Sequence, residues 1–379
     1  MVYTKSVERF SRISGAIIGM VRAESQQLYN RYINSHFEEF PGDAREICKQ
    51  IVDRLWAGNF HRTSLGHYDF FWIRDFGTVA ESLVKLGYGD EVRRTLNWAL
   101  LQYREAGHVT LCIDRFGNTF NAPARQAIDA LPWLLHALVV SDYKLRPIET
   151  ELLRKSVNRY SKRFLDPVTG DIRSGVRFAE MRDAVRYDRS AYAISLVGRL
   201  SVCAKQLGLT FPFDVTVYQK LLDEKYWNGK YYQADRSTNV WSSESGLMPF
   251  FLKIITDKDK VANTCEYIRE NEYSIRYPLT YCRSGREFRY RFGMGHWLMP
   301  EYQGTTVWTW LGAFYLHILH EYDRPEYDEE YRKLEALIMR HRTFPELVNE
   351  DGTWYKVPIY SGDPGMIWAA LFLDLPKAS

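Results

Sequence analysis

Three segments of the chain set carboxylates among aromatic residues. In His67-Tyr68-Asp69-Phe70-Phe71-Trp72-Ile73-Arg74-Asp75-Phe76-Gly77, Arg74 and Asp75 stand at the entrance of a predicted helix beside Trp72. An acidic residue in a first helical turn also suits the helix dipole, so Asp75 by itself is ambiguous. The Trp-x-Arg-Asp grouping tips the balance, because planar donors and acceptors beside an aromatic face suit a polyhydroxylated ring. The second segment, Glu180-Met181-Arg182-Asp183-Ala184-Val185-Arg186-Tyr187-Asp188-Arg189, precedes an apolar helix, and surface ion pairing would explain any one of its charges. The third is Phe344-Pro345-Glu346-Leu347-Val348-Asn349-Glu350-Asp351-Gly352. There Glu346 lies between apolar neighbours, which favour the neutral carboxyl and suit acid/base work, while Glu350 and Asp351 read as an exposed turn. Hydrolysis of a glycoside needs one carboxylic acid to protonate the leaving oxygen and one carboxylate to activate water or attack the anomeric carbon. The chain offers that inventory.

Two further segments add aromatic surface. Tyr302-Gln303-Gly304-Thr305-Thr306-Val307-Trp308-Thr309-Trp310-Leu311-Gly312-Ala313-Phe314 loads the start of a helix, with core packing the natural role of Leu311 and Phe314 and wall positions open to Trp308 and Trp310. Trp241-Ser242-Ser243-Glu244-Ser245-Gly246 either contributes a carboxylate or merely caps a helix. Other chemistries lack their signatures. There is no GxxxxGK[ST], no HExxH and no GxSxG in the sequence, which removes support for phosphate-loop, zinc-protease and serine-nucleophile mechanisms. No metal and no cofactor is expected.

Composition narrows the partners. Fifty basic against 47 acidic residues leave a formal charge of +3 on 379 residues, and 15% of the chain is aromatic. A near-neutral chain has no global field to hold nucleic acid or an acidic membrane; an uncharged, ring-shaped ligand fits better, and the expected partner is an oligosaccharide or polysaccharide substrate. The five cysteines are dispersed with no CxxC pair, which argues against a disulfide framework or zinc site and for a reducing, cytoplasmic setting. Ile13 to Val21 is apolar but shorter than a membrane span, and it reads as one face of a first helix.

The elements that must position these residues are helices. Apolar residues recur at helical spacing, as in Ile128, Leu131, Leu134, Leu135 and Leu138, while alternating runs are scarce. The periodicity predicts helices near 43–56, 73–87, 89–105, 123–141, 146–163, 187–207, 214–226, 243–255, 258–270, 303–321, 327–341 and 363–373. Short turns such as Gly87-Tyr88-Gly89-Asp90 and Asp323-Arg324-Pro325 join them into antiparallel pairs. The longer links, 57–72, 106–122, 164–186, 227–242, 271–302 and 342–362, hold most of the chemically rich residues. Short turns at one end and long loops at the other describe a closed ring of helical hairpins whose loops share one mouth. The fold class is all-α, an (α/α)6 toroid forming one domain over residues 1–379.

This arrangement resembles the six-hairpin glycosidases: glucoamylases, the amylo-α-1,6-glucosidase part of glycogen debranching enzymes, and neutral invertases. Trp72-Ile73-Arg74-Asp75 is similar to the Trp-x-Arg-Asp segment that holds the terminal sugar in that group. Gly304-Thr305-Thr306-Val307-Trp308-Thr309-Trp310 is similar to its Gly-Thr-Val-Trp-Pro-Trp segment, with an extra Thr and with Thr in place of Pro. Pro345-Glu346-Leu347 with Glu350-Asp351-Gly352 resembles the segment carrying the catalytic base, and Gly365-Met366-Ile367-Trp368 the closing helix after it. The resemblance implies Glu346 as base and Asp183 as the Met-Asp general acid, with inversion at the anomeric carbon. Here Arg182 intervenes between Met181 and Asp183, which keeps Glu180, Asp188 and Glu244 open as the acid. Trp72, Arg74, Asp75, Asp188, Glu244, Trp308 and Trp310 are the expected substrate contacts.

The first functional expectation is therefore an inverting, exo-acting glycosidase on an α-linked glucoside, a glucan branch or an oligosaccharide. A second is another six-hairpin enzyme, such as an invertase, a trehalase-like hydrolase, or a sugar epimerase or isomerase that uses histidines drawn from His61, His67, His108, His296 and His317. A third is a non-catalytic sugar-binding relative, motivated by the Met-Arg-Asp departure.

Overall fold

The computed structural model describes Ser25 and residues 38–122, 126–289 and 295–378. The predicted first helix over Ile13 to Val21 lies outside these residues.

Helices are the main regular structure of the described residues: α1 (Ala44–Leu55), α2 (Ile73–Lys85), α3 (Gly89–Ala106), α4 (Ala130–Val140), α5 (Pro147–Phe164), α6 (Ala191–Gln206), α7 (Val215–Lys225), α8 (Ser243–Phe251), α9 (Lys258–Glu270), the short α10 (Gly295–Leu298), α11 (Thr309–Glu321), α12 (Tyr327–His341) and α13 (Ala369–Asp374). Each of the twelve predicted helices has a counterpart among them. Among the described residues seven two-residue strands lie between the helices: β1 (Phe71–Trp72), β2 (Cys112–Ile113), β3 (Thr119–Phe120), β4 (Val307–Trp308), β5 (Leu347–Val348), β6 (Lys356–Val357) and β7 (Tyr360–Ser361).

Helix packing runs in a cycle. Helix α2 packs on α4, α4 on α6, α6 on α8, α8 on α11, α11 on α13, and α13 returns to α2. The others lie outside: α3 on α2 and α4, α7 on α6, α12 on α11, and α1 on α13 and α12. Sequence separates the two layers. Inner helix α4, Ala-Leu-Pro-Trp-Leu-Leu-His-Ala-Leu-Val-Val, is apolar all round and buries Ala130 through Leu138, as a helix enclosed by neighbours must. Outer helix α5 buries one stripe, including Leu152, Leu153, Val157, Tyr160 and Phe164, and gives its other face to water. The inner ring is tight at Gly77 of α2, where an added Cβ would lie 2.6 Å from Cβ of Trp133 on α4.

Where helix starts differ from the periodicity, backbone pairing is the reason. The stretch predicted from 123 becomes α4 only at Ala130, because Ala127 bridges Ala179 and the Ile128 N–H donates to the Ala179 carbonyl (3.1 Å). The stretch predicted from 303 becomes α11 only at Thr309, because Val307 and Trp308 pair antiparallel with Val348 and Leu347. Both pairings tie one long link to another. All five cysteines are unpaired and buried. Among the described residues no helix is long and apolar enough to cross a membrane.

Candidate active site

The starts of the inner helices are joined around one end: Arg74 of α2 and Tyr192 of α6 bond Asp129 just ahead of α4, Glu244 of α8 bonds Tyr187 ahead of α6, and Trp310 of α11 meets Trp368 ahead of α13. Their convergence creates a pocket lined by Thr63, Tyr68, Trp72, Arg74, Asp75, Met181, Asp183, Tyr302, Gln303, Trp308, Trp310, Glu346, Met366 and Trp368, enclosing about 460 Å³ with its open mouth included. Helix starts carry partial positive charge. A ring of them therefore suits a pocket that holds several carboxylates.

Glu346 stands at the buried side, 2% exposed. The Tyr360 hydroxyl donates to both its oxygens (2.6 and 2.8 Å) and the Asp363 backbone N–H donates to Oε2 (2.9 Å). Burial, and next the charge of Asp363, raise its pKa well above the ordinary glutamate value. The Tyr68 and Tyr360 hydroxyls lie 3.0 Å apart; since Tyr360 gives its proton to Glu346, Tyr68 donates to Tyr360. Burial, with the Glu346 charge second, holds both phenols protonated.

Asp183 is on the opposite loop with 25% of its side chain exposed, 3.9 Å from Nη1 of Arg74. Gln303 fixes the turn that carries it: its amide nitrogen donates to Oδ1 of Asp183 (3.4 Å) and its Oε1 accepts the Ala184 N–H (3.0 Å). The intervening Arg182 points away from the pocket and is fully buried. Its Nε and Nη2 donate to the Gln303 carbonyl (3.0 and 2.5 Å), its Nη1 to the hydroxyls of Tyr187 (2.9 Å) and Ser242 (3.1 Å), and its guanidinium lies 3.8 Å from the Phe288 ring centre. The departure from Met-Asp thus inserts a clamp: with Arg182 anchored in the core, the next residue is turned into the pocket.

Arg74 and Asp75 occupy the first turn of α2. Nε of Arg74 donates to Oδ2 of Asp129 (2.6 Å), which also accepts from the Tyr192 hydroxyl (3.1 Å). Burial opposes the guanidinium charge, but Asp129, Tyr192 and Asp183 outweigh it and raise the pKa. Burial pushes the Asp75 carboxyl up to about 7 against the lowering effect of Arg74. Two buried donors at the pocket, Nη2 of Arg74 and Nε1 of Trp72, have no protein partner. Buried donors are nearly always satisfied, so these two are the natural anchors for a ligand's hydroxyls. Trp308 spends its N–H on the Tyr302 carbonyl (2.8 Å) and offers only ring surface; Trp310, 1% exposed, also lines the pocket.

Of the expected contacts, Trp72, Arg74, Asp75, Asp183, Trp308, Trp310 and Glu346 come together in this pocket, while Asp188 and Glu244 do not line it. Asp188 binds Arg189 (3.1 Å) beside a separate surface cleft. Glu244 is fully buried and accepts the hydroxyl protons of Tyr187 (2.7 Å) and Ser242. Through the hydroxyls of Tyr187 and Ser242, which both residues bond, its charge helps to balance the buried Arg182, since an uncompensated ion in the interior is costly. Glu180 accepts from Ser190 at the start of α6, which leaves Asp183 as the one acid candidate of the four that lines the pocket. Trp241 is a core residue packed against Tyr231, Tyr267 and Tyr273.

Among the described side chains no histidine lines the pocket. His61 is buried against Thr95 with its pKa lowered to about 4 by burial, His67 binds Asp363, and His108 and His317 face backbone carbonyls of Ala106 and Leu371. Reasoning from sequence did not single out Tyr68, Tyr302, Gln303, Tyr360 or Asp363. Tyr68 and the Tyr302-Gln303 pair sit inside noted segments, but no local feature ranks them above their neighbours. Tyr360 falls in the predicted link 342–362 and Asp363 at the start of the predicted helix 363–373, and their sequence, Tyr-Ser-Gly-Asp-Pro, marks neither for burial at a site.

No family model and no curated protein matches the sequence. Solved structures do match. A GH63 mannosylglycerate hydrolase from Thermus thermophilus, in complex with Tris and D-glycerate, aligns over 87% of this chain and 99% of its own at 14% identity, with a TM-score of 0.55. A wild-type glycosidase aligns over 87% and 95% at 11% identity (TM-score 0.61), and a rhamnosidase from Klebsiella oxytoca with rhamnose bound over 89% and 65% at 12% identity (TM-score 0.59). The chain shares the fold of these glycosidases.

Proposed function

We propose that this chain is a glycoside hydrolase of the (α/α)6-toroid class, one domain over residues 1–379, which removes a terminal sugar with inversion. The observation that carries this reading is the convergence of Asp183 and Glu346, from links far apart in sequence, on one aromatic-walled pocket with unpartnered donors. Their roles follow from depth. In a closed pocket the glycosidic oxygen lies toward the opening, where the aglycone leaves, and the attacking water lies on the far face. Asp183, the more exposed, protonates the leaving oxygen; Glu346, the buried one, takes a proton from water as that water bonds to the anomeric carbon. Trp72, Trp308 and Trp310 supply walls, and Arg74, Asp75 and the Trp72 indole N–H hold hydroxyls.

The substrate class we favour is a short α-linked glycoside, with glucose as the first sugar to test. The mannosylglycerate hydrolase and rhamnosidase with this fold make mannosides and rhamnosides the next. Inversion calls for carboxyls ~6.5 to 9.5 Å apart, against ~5 to 5.5 Å for retention. The test is a panel of α-glycosides with the product anomer followed by NMR. E346Q should abolish turnover while sugar still binds calorimetrically. D183N should lose far more activity on alkyl glycosides than on aryl glycosides with good leaving groups, which need no acid. Normal turnover by E346Q removes Glu346 from the reaction, and a retained anomer overturns the inverting mechanism.

A further inference from the structure

Asp363 does not line the pocket, yet it ties the proposed base to the loop above it. It is 1% exposed. Its Oδ1 accepts the backbone N–H and Nδ1 of His67 (both 2.9 Å), and its Oδ2 accepts the Tyr68 N–H (3.1 Å) and the Ser64 hydroxyl. Loop 64–68 is moulded around this carboxylate, because a Cβ on Gly66 would sit 1.8 Å from Oδ1. On its other side, the Glu346 N–H donates to the Asp363 carbonyl (2.8 Å) and the Asp363 N–H returns a bond to Oε2 of Glu346 (2.9 Å). Among the described residues its one charge-capable partner within 4 Å is His67, with no Lys or Arg paired to it. A cross-link between two loops does not require a charge, and burying one is costly. That charge, on a residue whose backbone is hydrogen-bonded to both the backbone and the carboxylate of Glu346, calls for a role.

We propose that Asp363 is a positioning residue for the hydrolytic step: its backbone N–H aims Oε2 of Glu346, and its caged carboxylate makes Glu346 a stronger base than apolar burial alone would. This rests on the reading of Glu346 as the base. In that step the water proton passes to Glu346 and the water oxygen bonds to the anomeric carbon. The glycosidic bond breaks with its electron pair moving to the leaving oxygen, which takes the Asp183 proton. The groups set around Glu346 are the phenols of Tyr360, Tyr68 and Tyr302, the Asp75 carboxyl from α2, Asp183 with Arg74 across the pocket, and His67 behind Asp363. Asp363 ranks first among the charges that raise Glu346.

The experiment follows the Glu346 carboxyl directly, as the infrared band present in the wild type and missing in E346Q. In D363N its titration midpoint should fall by about 1 to 2 pH units as the like charge is removed. The acid limb of kcat/KM should fall with it, with kcat down on the order of tenfold and KM little changed. D363S is the second variant, removing the charge with a smaller side chain. An unmoved midpoint in a folded variant overturns the inference, as does failure of both variants to fold, which would make the carboxylate a structural cross-link. If the wild type hydrolyses no glycoside, a moved midpoint still supports the electrostatic coupling and sinks only the hydrolytic reading. The two failures are therefore told apart.

Discussion

Replacing Arg182 by Met tests the clamp that turns Asp183 into the pocket. The side chain is fully buried and donates to the Gln303 carbonyl, Tyr187 and Ser242; burial opposes its charge, and Tyr187, Cys282 and Glu244 together favour it. Met preserves much of the apolar stem but leaves Glu244 buried without its cation. Breaking a buried ion network from one side costs about 3 to 5 kcal/mol. Unfolding entropy of ~2.1 cal/mol/K per residue gives roughly 0.8 kcal/mol/K for this chain, so the melting temperature should drop by about 4 to 6 °C. Removing both charges in R182M/E244Q should cost less than the two single changes together, because no lone ion remains. Thermal and urea melts of the four proteins measure this cycle, and turnover below the transition should fall on the order of tenfold in R182M as Asp183 loses its orientation. A melting temperature within about 1 °C of wild type, with strictly additive single effects, would refute the clamp.

Other outcomes follow from the same geometry. Glu346 and Asp75 have folded pKa values above their unfolded ones, so their contribution to stability is present below the unfolded values near 4 and is lost as pH rises through the folded values. E346Q and D75N should accordingly gain stability over wild type with increasing pH, the Asp75 part developing between its unfolded value near 4 and its folded value of about 7; a pH-independent difference in melting temperature would contradict this. W72F removes an unpartnered buried N–H while keeping an aromatic face, so sugar affinity should weaken by about 1 kcal/mol, roughly fivefold, without loss of fold; calorimetry checks it. G77A places a methyl 2.6 Å from Trp133, and overpacking between α2 and α4 should cost about 1 to 3 kcal/mol in urea unfolding.

Helices were legible in the sequence because a helix is written locally: Leu131, Leu134, Leu135 and Leu138 repeat at the spacing that puts them on shared faces. The same holds for the pairing of short turns with long links. The site was legible where chemistry and local setting coincide, as at Trp72-Ile73-Arg74-Asp75 and at Glu346 among apolar neighbours. It was not legible where a residue's partners are remote. Arg182 reads as one more charge in a charged stretch, and its role exists only because Ser242, Cys282 and Gln303 close around it. Glu244 looked like a sugar contact and is the counter-charge of that clamp. Asp363 opens the predicted helix 363–373, and instead it is buried with its backbone bonded to Glu346.

The sequence by itself determined the all-helical class, the helical hairpins, and a short list of carboxylates and tryptophans that suit a sugar. Residue type and periodicity are local properties, and they suffice for that. Only the tertiary structure decided which carboxylates share a pocket, because burial and charge depend on distance through space. Asp183 and Asp188 lie five positions apart in one loop. One faces the pocket of Glu346 and the other faces Arg189 at the surface, because Arg182 between Met181 and Asp183 is anchored in the core.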